Sequence, residues 1–329
     1  MRIARWTTSE GAADDGFVIG DGVVAFPEGA TVADVLDGGL EAAADLHNHV
    51  VGAKSPSTPL TEVTLRTPLI PASVRDFSIY EEHVEGVSAS VTGRSFVAPE
   101  WYEGPTFYFG NPHTMLATGD AVQPPPSERL DFELELAAVL GGGEGDGRNL
   151  GVNSADTHIF GYTIMNDWSA RDVQGREMKN MLGPAKGKDF GTTLGPWIVT
   201  ADELAPYLDA DGFLAVRAEA YVNGVQVGAD LVSNMAWTFP AIVSYASRNS
   251  RVRPGDVLGA GTVGNGGCLA ELWGRAGELT PPPLREGDEV RLVVEGVGEI
   301  VNTIGGPLAL PSLPRAASRP RSRHRDGEE

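Results

Sequence analysis

The stretch that most constrains this chain is Asp131-Phe132-Glu133-Leu134-Glu135-Leu136, in which acidic and apolar residues alternate. A period of two is that of a β-strand, so Glu133 and Glu135 point to one face and Phe132, Leu134 and Leu136 to the other. Two carboxylates side by side on one face repel each other unless something positive stands between them. Further along, the apolar run from Phe160 to Met165 ends at Asn166-Asp167, which places Asp167 at the end of another strand. Three carboxylates gathered in this way suit a hard cation bound through oxygen: Mg2+, with Mn2+ or Ca2+ as alternatives. The same alternation also marks an ordinary solvated strand face, and spacing alone does not separate the two readings.

Longer blocks of sequence do. Leu130 to Leu136, then His158-Ile159-Phe160-Gly161-Tyr162 running into Met165-Asn166-Asp167-Trp168-Ser169-Ala170-Arg171-Asp172, resembles the fumarylacetoacetate hydrolase family. So do Gly187-Lys188-Asp189-Phe190-Gly191-Thr192-Thr193 with Gly195-Pro196-Trp197, and Pro254-Gly255-Asp256-Val257-Leu258 with Gly261-Thr262. Glu295-Gly296-Val297-Gly298 with Asn302 completes the set. The likeness runs over residues 65 to 308, and the block from Met165 to Asp172 is its most specific part.

The resemblance implies a mostly β (α+β) fold, the family's mixed β-sandwich roll with a small N-terminal domain, assembled as a homodimer. It implies a divalent metal on Asp76, Glu133, Glu135 and Asp167. It also implies that His83, seven residues after Asp76, handles a nucleophilic water. One branch of the family pairs this histidine with a glutamate three residues later, where this chain has Gly86; another uses a downstream glutamate, whose place Glu271 takes. Lys188 is implied to reach metal and substrate oxygen. Ser78, Arg171, Gln174, Thr262 and Phe109, the last within the pocket-lining segment Tyr108 to His113, are implied substrate contacts.

Spacing adds its own expectations. A separation of seven puts Asp76 and His83 on one side of a short helix. Asp167, Arg171 and Gln174 fall at i, i+4 and i+7, one face of two helical turns. An arginine forks onto a carboxylate through two parallel hydrogen bonds, so that face suits an anionic substrate. The plain alternative is an Asp-to-Arg helix pair worth a few tenths of a kcal/mol.

The chain is expected to divide into residues 1–70 as a small N-terminal domain, 71–310 as the catalytic domain that the resemblance implies, and 311–329 as a disordered basic tail. Phe17 to Phe26 reads as a hairpin around Gly20-Asp21-Gly22. Thr31 with Asp34 resembles a capping box opening a helix through Val35, Leu36 and as far as Leu40. His47-Asn48-His49 has no third ligand nearby and reads as surface. His113, beside Pro112, reads as a turn residue. Gly141 to Gly147 lacks a GK[ST] ending and carries two acids, which marks a mobile hairpin loop rather than a phosphate cradle. Thr200 with Glu203 caps a short helix, Val222-Asn223-Gly224-Val225 is a type I′ turn, and Thr238 to Ser247 is a helix with Pro240 in its first turn. The tail carries Arg315, Arg319, Arg321, Arg323 and Arg325 among Ser and Pro and cannot bury a core.

The remaining bounds are negative ones. With 42 glycines, 23 prolines and no βαβ alternation, the strands are many and short. A net charge of −20 argues against nucleic acid and anionic membrane surfaces as partners. One cysteine, Cys268, excludes an internal disulfide framework and fits a reducing compartment. No apolar run approaches the length of a membrane span, so a cytoplasmic location is expected.

The chemistry expected is hydrolysis of a carbon–carbon bond in an acylpyruvate-like or other 1,3-dicarbonyl acid, a small anionic substrate. A metal would act as Lewis acid, His83 as base oriented by Glu271, with Lys188 and Arg171 supplying positive charge where the oxyanion develops. Decarboxylation of a β-keto acid, or hydration or isomerisation of a 2-oxo-enoate, is the alternative in the same chemistry. A silent dicarboxylate-binding protein is the alternative outside catalysis.

Overall fold

The acidic–apolar stretch grows into the strand Leu134–Leu140, buried along its whole length. The computed structural model, which describes residues 1–306 and 308–317, shows why. Both faces of that strand are covered: Leu134, Leu136 and Leu140 join one apolar core, while Ala137 and Val139 join another with Val32, Val35 and Leu36. A strand dry on both sides loses the simple alternation beyond Glu135, and its sequence runs on as Leu-Ala-Ala-Val-Leu.

This strand lies inside a twelve-stranded sheet. On one side it pairs antiparallel with Ile159–Asp167. On the other comes Asp256–Gly259, followed by Ser73–Phe77 in parallel and Phe107–Gly110 antiparallel to that. Beyond Ile159–Asp167 lies Thr192–Thr200, which receives the first strand of the chain, Arg2–Thr8, through Arg2 opposite Val199. Ala13–Ile19 and Gly22–Ala25 follow. Strands from the first twenty-five residues thus extend the same sheet that carries the acidic motif. A second, five-stranded sheet, including Arg217–Val222, Glu289–Val294 and Gly298–Ile304, packs Ala218, Leu292 and Ile300 into the first core. The architecture is a mostly β, mixed sheet-on-sheet roll with seven α-helices among the described residues. None of those helices is long and apolar enough to cross a membrane.

Local chemistry accounts for most element ends. The Gly20-Asp21 turn joins two antiparallel strands. Asn223 and Gly224 both take positive φ, 50° and 76°, as a type I′ turn requires. Thr31 and Asp34 form the reciprocal capping box. The helix they open, Val32–Ala53, runs past the expected end with a break at Gly39, φ 76°. That break lets the chain meet the glycine-rich turn: Gly142 N–H donates to Leu36 O at 2.7 Å, and a Cβ on Gly39 would lie 2.6 Å from Gly142 O. The Gly141–Gly147 turn is therefore docked on the helix at its start. Thr200 departs from its expected role, because its side chain makes no cap. Its Oγ1 accepts from the Met1 amine at 2.6 Å, and Glu203 accepts from the same amine at 2.8 Å. Residues 311–317 carry no helix or strand and are exposed, and Arg319, Arg321, Arg323 and Arg325 lie outside the described residues.

Two helices complete the scaffold for the site. Glu81–Thr92 and Leu269–Ala276 pack at glycine contacts, where a Cβ on Gly274 would stand 1.9 Å from Gly86 O and one on Gly86 would stand 2.3 Å from Glu271 Cγ. Replacing Gly86 by alanine tests this packing. Helix propensity alone favours alanine by about 1 kcal/mol, whereas overpacking of a close contact costs about 1–3 kcal/mol. Gly86→Ala is expected to lower the thermal midpoint; a raised midpoint would show that Glu271 moves aside freely.

Candidate active site

Strand register sets the acids in a row across the large sheet. Asp167 closes the strand Ile159–Asp167, and its N–H donates to Glu133 O at 3.2 Å. Glu135 stands opposite Met165, and its Oε2 accepts from Gly261 N–H at 3.0 Å. In the next strands Gly259 is paired with Asp76, and Asp76 with Tyr108. Glycine at 259 matters because a Cβ there would lie 2.7 Å from Glu135 Oε2 and 3.1 Å from Asp76 Oδ1. With no side chain in between, the carboxylates of the flanking strands reach toward each other. Asp76, Glu133, Glu135 and Asp167 are each 5% exposed or less, which overturns the solvated-face reading. One oxygen from each of Asp76, Glu133 and Asp167 lies within 4.8 Å of the others.

Burial and mutual repulsion define the electrostatics. Asp76 is pushed well above the ordinary carboxylate range by burial and by Asp167. Glu135 moves the same way through burial and Asp76. Burial opposes the Glu133 charge too, yet Lys188, Arg171 and His83 together hold it below its usual value. The ammonium of Lys188, on the turn before Thr192–Thr200, donates to both Glu133 and Asp167. Tyr108 donates to Asp167 as well.

Arg171 is placed differently from the sequence expectation. Asp167 belongs to a strand, and the helix Arg171–Glu177 begins only after Ser169-Ala170, so the three residues do not share one helix face. The fork of Arg171 is already occupied: Nε donates to Asp131 Oδ2 at 2.9 Å, and Nη2 lies 2.9 Å from the same oxygen and 2.8 Å from Glu133 Oε1. Nη1 donates to Gln174 Oε1 at 3.3 Å. Asp131 itself is fully buried and accepts from Leu269 and Ala270 N–H at 2.7 and 2.9 Å. It ties the arginine to the start of the helix Leu269–Ala276. Sequence reasoning passed over Asp131, although it is the first acid of the alternating run.

His83 lies in the helix Glu81–Thr92 while Asp76 lies in a strand, so the helical reading of their separation fails. They meet through tertiary structure, in a cavity of about 350 Å³ that both line with Glu133 and Glu135. His83 Nε2 is 3.9 Å from Glu133 Oε1. Burial, against the pull of Glu133, lowers the imidazole to about 4, so it is neutral at pH 7. The side chain against Nδ1 is Cys268, with Sγ at 3.6 Å, and burial pushes that thiol up, keeping it protonated. Glu271 makes no hydrogen bond to His83. Its Oε1 lies 2.7 Å from Arg275 Nη2 and accepts from Gly266 N–H at 3.3 Å. Burial raises it to about 7, and it fills the notch at Gly86, one turn beyond the imidazole.

Ser78, Arg171, Gln174, Lys188 and Thr262 line the same cavity. Phe109 does not. It is 67% exposed and borders a neighbouring cavity of about 260 Å³. Alternation along Phe107–Gly110 turns its neighbour Tyr108 toward the acids instead, and Tyr108 lines both cavities.

The donor set fits a divalent cation. Asp76 Oδ1 and Glu135 Oε1 are buried without a hydrogen-bond partner, an unfavourable state that a cation relieves. All four donors are carboxylate oxygens, the ligand type of Mg2+, Mn2+ and Ca2+.

A family model described as fumarylacetoacetate (FAA) hydrolase, C-terminal, matches residues 73–305. The fumarylacetoacetase of Arabidopsis thaliana is 31% identical over 281 residues, covering 70% of this chain and 66% of that protein, just under two thirds of its length. That of Oryza sativa subsp. japonica is 31% identical over 309 residues, covering 78% and 72%. Among solved structures, fumarylacetoacetate hydrolase from Exiguobacterium antarcticum superposes with a TM-score of 0.70 at 24% identity, covering 93% of this chain and 99% of that one. Maleylpyruvate hydrolase from Sphingobium sp. SYK-6, in complex with manganese(II) and pyruvate, gives 0.68 at 21% identity, covering 94% and 100%. A 5-carboxymethyl-2-hydroxymuconate delta-isomerase from Mycobacterium smegmatis gives 0.67 at 24%, covering 94% and 100%. These structural likenesses are of fold.

The glycine between Glu135 and Asp76 yields a test of the donor set. In Gly259→Ala the new methyl pushes on two side-chain ends, Met165 Cε at 2.6 Å and Glu135 Oε2 at 2.7 Å, so the fold is retained while the carboxylates separate. Calorimetric titration with Mn2+ is expected to show affinity reduced by about 10–100-fold, the range for disturbed support of a metal site. Unchanged affinity with an unchanged fold would remove Glu135 from the ligands.

Proposed function

Because the chain belongs to the fumarylacetoacetate hydrolase family, we propose that it is a divalent-metal-dependent hydrolase of a carbon–carbon bond in an acylpyruvate-like acid. The observation that carries the reading is the neutral imidazole of His83, with Nε2 at 3.9 Å from Glu133, inside the cavity that Asp76, Glu133 and Glu135 line. Decarboxylation requires no such base, since water must then be kept away from the reacting carbon.

Asp76, Glu133, Glu135 and Asp167 would hold the ion, Mg2+ or Mn2+. When bound, it supplies Lewis-acid polarisation of the paired substrate oxygens and stabilises the negative charge that develops as the bond breaks. The protein's own groups do the rest. In the tautomer with its proton on Nδ1, His83 directs that N–H at Cys268 Sγ and leaves the Nε2 lone pair for a water proton. The hydroxide so formed adds to the acyl carbonyl. As the carbon–carbon bond breaks, the proton on Nε2 passes to the departing carbon, so one water is consumed and two acids result. Lys188 adds positive charge where the oxyanion develops. Gln174, Ser78 and Thr262 offer hydrogen bonds that orient the substrate. Arg171, held on Asp131 and Glu133, acts by fixing Glu133 rather than by gripping the substrate with its full fork. Glu271 is a second buried carboxyl close to the base. The reading includes a homodimer as the assembly and a small anionic dicarbonyl acid as the partner.

Two measurements test it. Glu133→Gln and Asp167→Asn each remove a charge from the donor set, so Mg2+-dependent cleavage of acylpyruvates is expected to weaken or vanish. Full turnover by both variants in chelator-treated buffer would refute the metal assignment. His83→Ala is expected to lower cleavage by ~10²-fold or more, within the range for a general base, and to leave Mn2+ binding intact. Any decarboxylation of oxaloacetate should fall by less than about tenfold, since it does not call on the base. Wild-type protein that decarboxylates but never cleaves would overturn the hydrolase reading.

A further inference from the structure

Beyond the acids, their partners and the hydrogen-bonding groups named above, the cavity presents Phe77, Val87, Phe107, Met178 and Pro184, with Thr106 as a single further hydroxyl. Its volume of about 350 Å³ accommodates about a dozen groups the size of a water molecule. That is room for a dicarbonyl acid head and a tail of several carbons. Met178 is 51% exposed, which places the far end of this lining at the mouth.

The charges are unevenly shared out. Arg171 and Lys188 are the cationic side chains that line the cavity. Arg171 faces Asp131 and Glu133, and Lys188 faces Glu133 and Asp167. Five buried carboxylates, with Asp131 counted, therefore meet two side-chain cations. A bound divalent ion still leaves the set formally one negative charge in excess. The carboxylate of a substrate head can share the ion and Lys188. A second carboxylate on the tail would lie against Val87, Phe107, Met178 and Pro184, without a cation and within the field of the acids. Repulsion by the acids disfavours such a charge, whereas apolar tail surface buried there gains about 25 cal/mol per Å².

We infer that the substrate is a monocarboxylate, with its one carboxylate in the dicarbonyl head and an uncharged, apolar acyl tail directed toward Met178. The inference deepens the hydrolase reading and rests on it for the orientation of the head.

The test separates binding from cleavage. The full chain, saturated with Mg2+, is titrated calorimetrically with 2-oxooctanoate and with the same chain ending in a second carboxylate. Both carry the 2-oxo acid head but lack the second carbonyl, so neither offers a bond to hydrolyse. The monoacid is expected to bind tighter by about tenfold or more, at the lower end of what apolar pockets discriminate. In Met178→Arg, a partly exposed position that tolerates a longer side chain, the gap should narrow or reverse. Equal or tighter binding of the diacid by wild type, no binding of either, or an unchanged ratio in Met178→Arg overturns the inference. Hexanoylpyruvate is then assayed for cleavage. If the monoacid preference holds and hexanoylpyruvate is not cleaved, the hydrolase reading fails and the tail assignment stands.

Discussion

Mutual repulsion among four carboxylates that barely touch water is the condition the rest of the molecule is arranged around. Asp76, Glu133, Glu135 and Asp167 lie on or at the ends of three strands of one sheet, with Asp256–Gly259 between two of them, and their separation is set by interstrand spacing that backbone hydrogen bonds hold rigid. Two apolar cores, one on each face of Leu134–Leu140, keep the surroundings dry. Dryness strengthens every charge interaction, attractive and repulsive alike. The offsetting positive charge arrives from loops and helices that begin where the strands end. Lys188 comes from a turn and Arg171 from the first turn of a helix, and both are drawn in by the acids.

Asp131 shows how far this arrangement reaches. Its carboxylate takes the arginine on one side and the backbone N–H groups of Leu269 and Ala270 on the other. A helix start offers unpaired donors and partial positive charge, so a buried carboxylate there is well matched. The helix so positioned carries Cys268 to His83 and Glu271 to the notch beside it. The acidic strand and the proposed base are thereby joined through one carboxylate that need not touch the substrate.

What could be read from the sequence follows the range of each signal. The period of two assigned Glu133 and Glu135 to one face, and the end of an apolar run located Asp167, because both depend only on neighbouring residues. Asn223-Gly224 and Thr31-Asp34 were legible for the same reason. Arg171 was not, since helical spacing says which residues share a face and nothing of what stands opposite. Asp76 and His83 looked like one helix because seven residues fit two turns, whereas strand and helix divide the interval. At Tyr108 and Phe109 the segment was legible and the parity of the strand was not. The position of Glu271 came from resemblance, which carries a place in the chain but not a hydrogen-bond partner, and Cys268 holds the contact instead. The docking of Gly142 on the break at Gly39 joins residues a hundred apart and left no local trace.

The notch between the helices Glu81–Thr92 and Leu269–Ala276 has a consequence for descent. Gly86 leaves the space that Glu271 occupies, and the backbones already touch at Gly274. A side chain longer than hydrogen at 86 crowds a glutamate at 271. The acid beside the histidine is therefore best rooted in one helix or in the other, since one on each would crowd the contact. A lineage that moves it from one to the other changes two positions together, or passes through an intermediate that is overpacked or has no acid there. Residues in such contact are expected to couple, so 86 and 271 should vary as a pair among relatives that keep these helices at this distance.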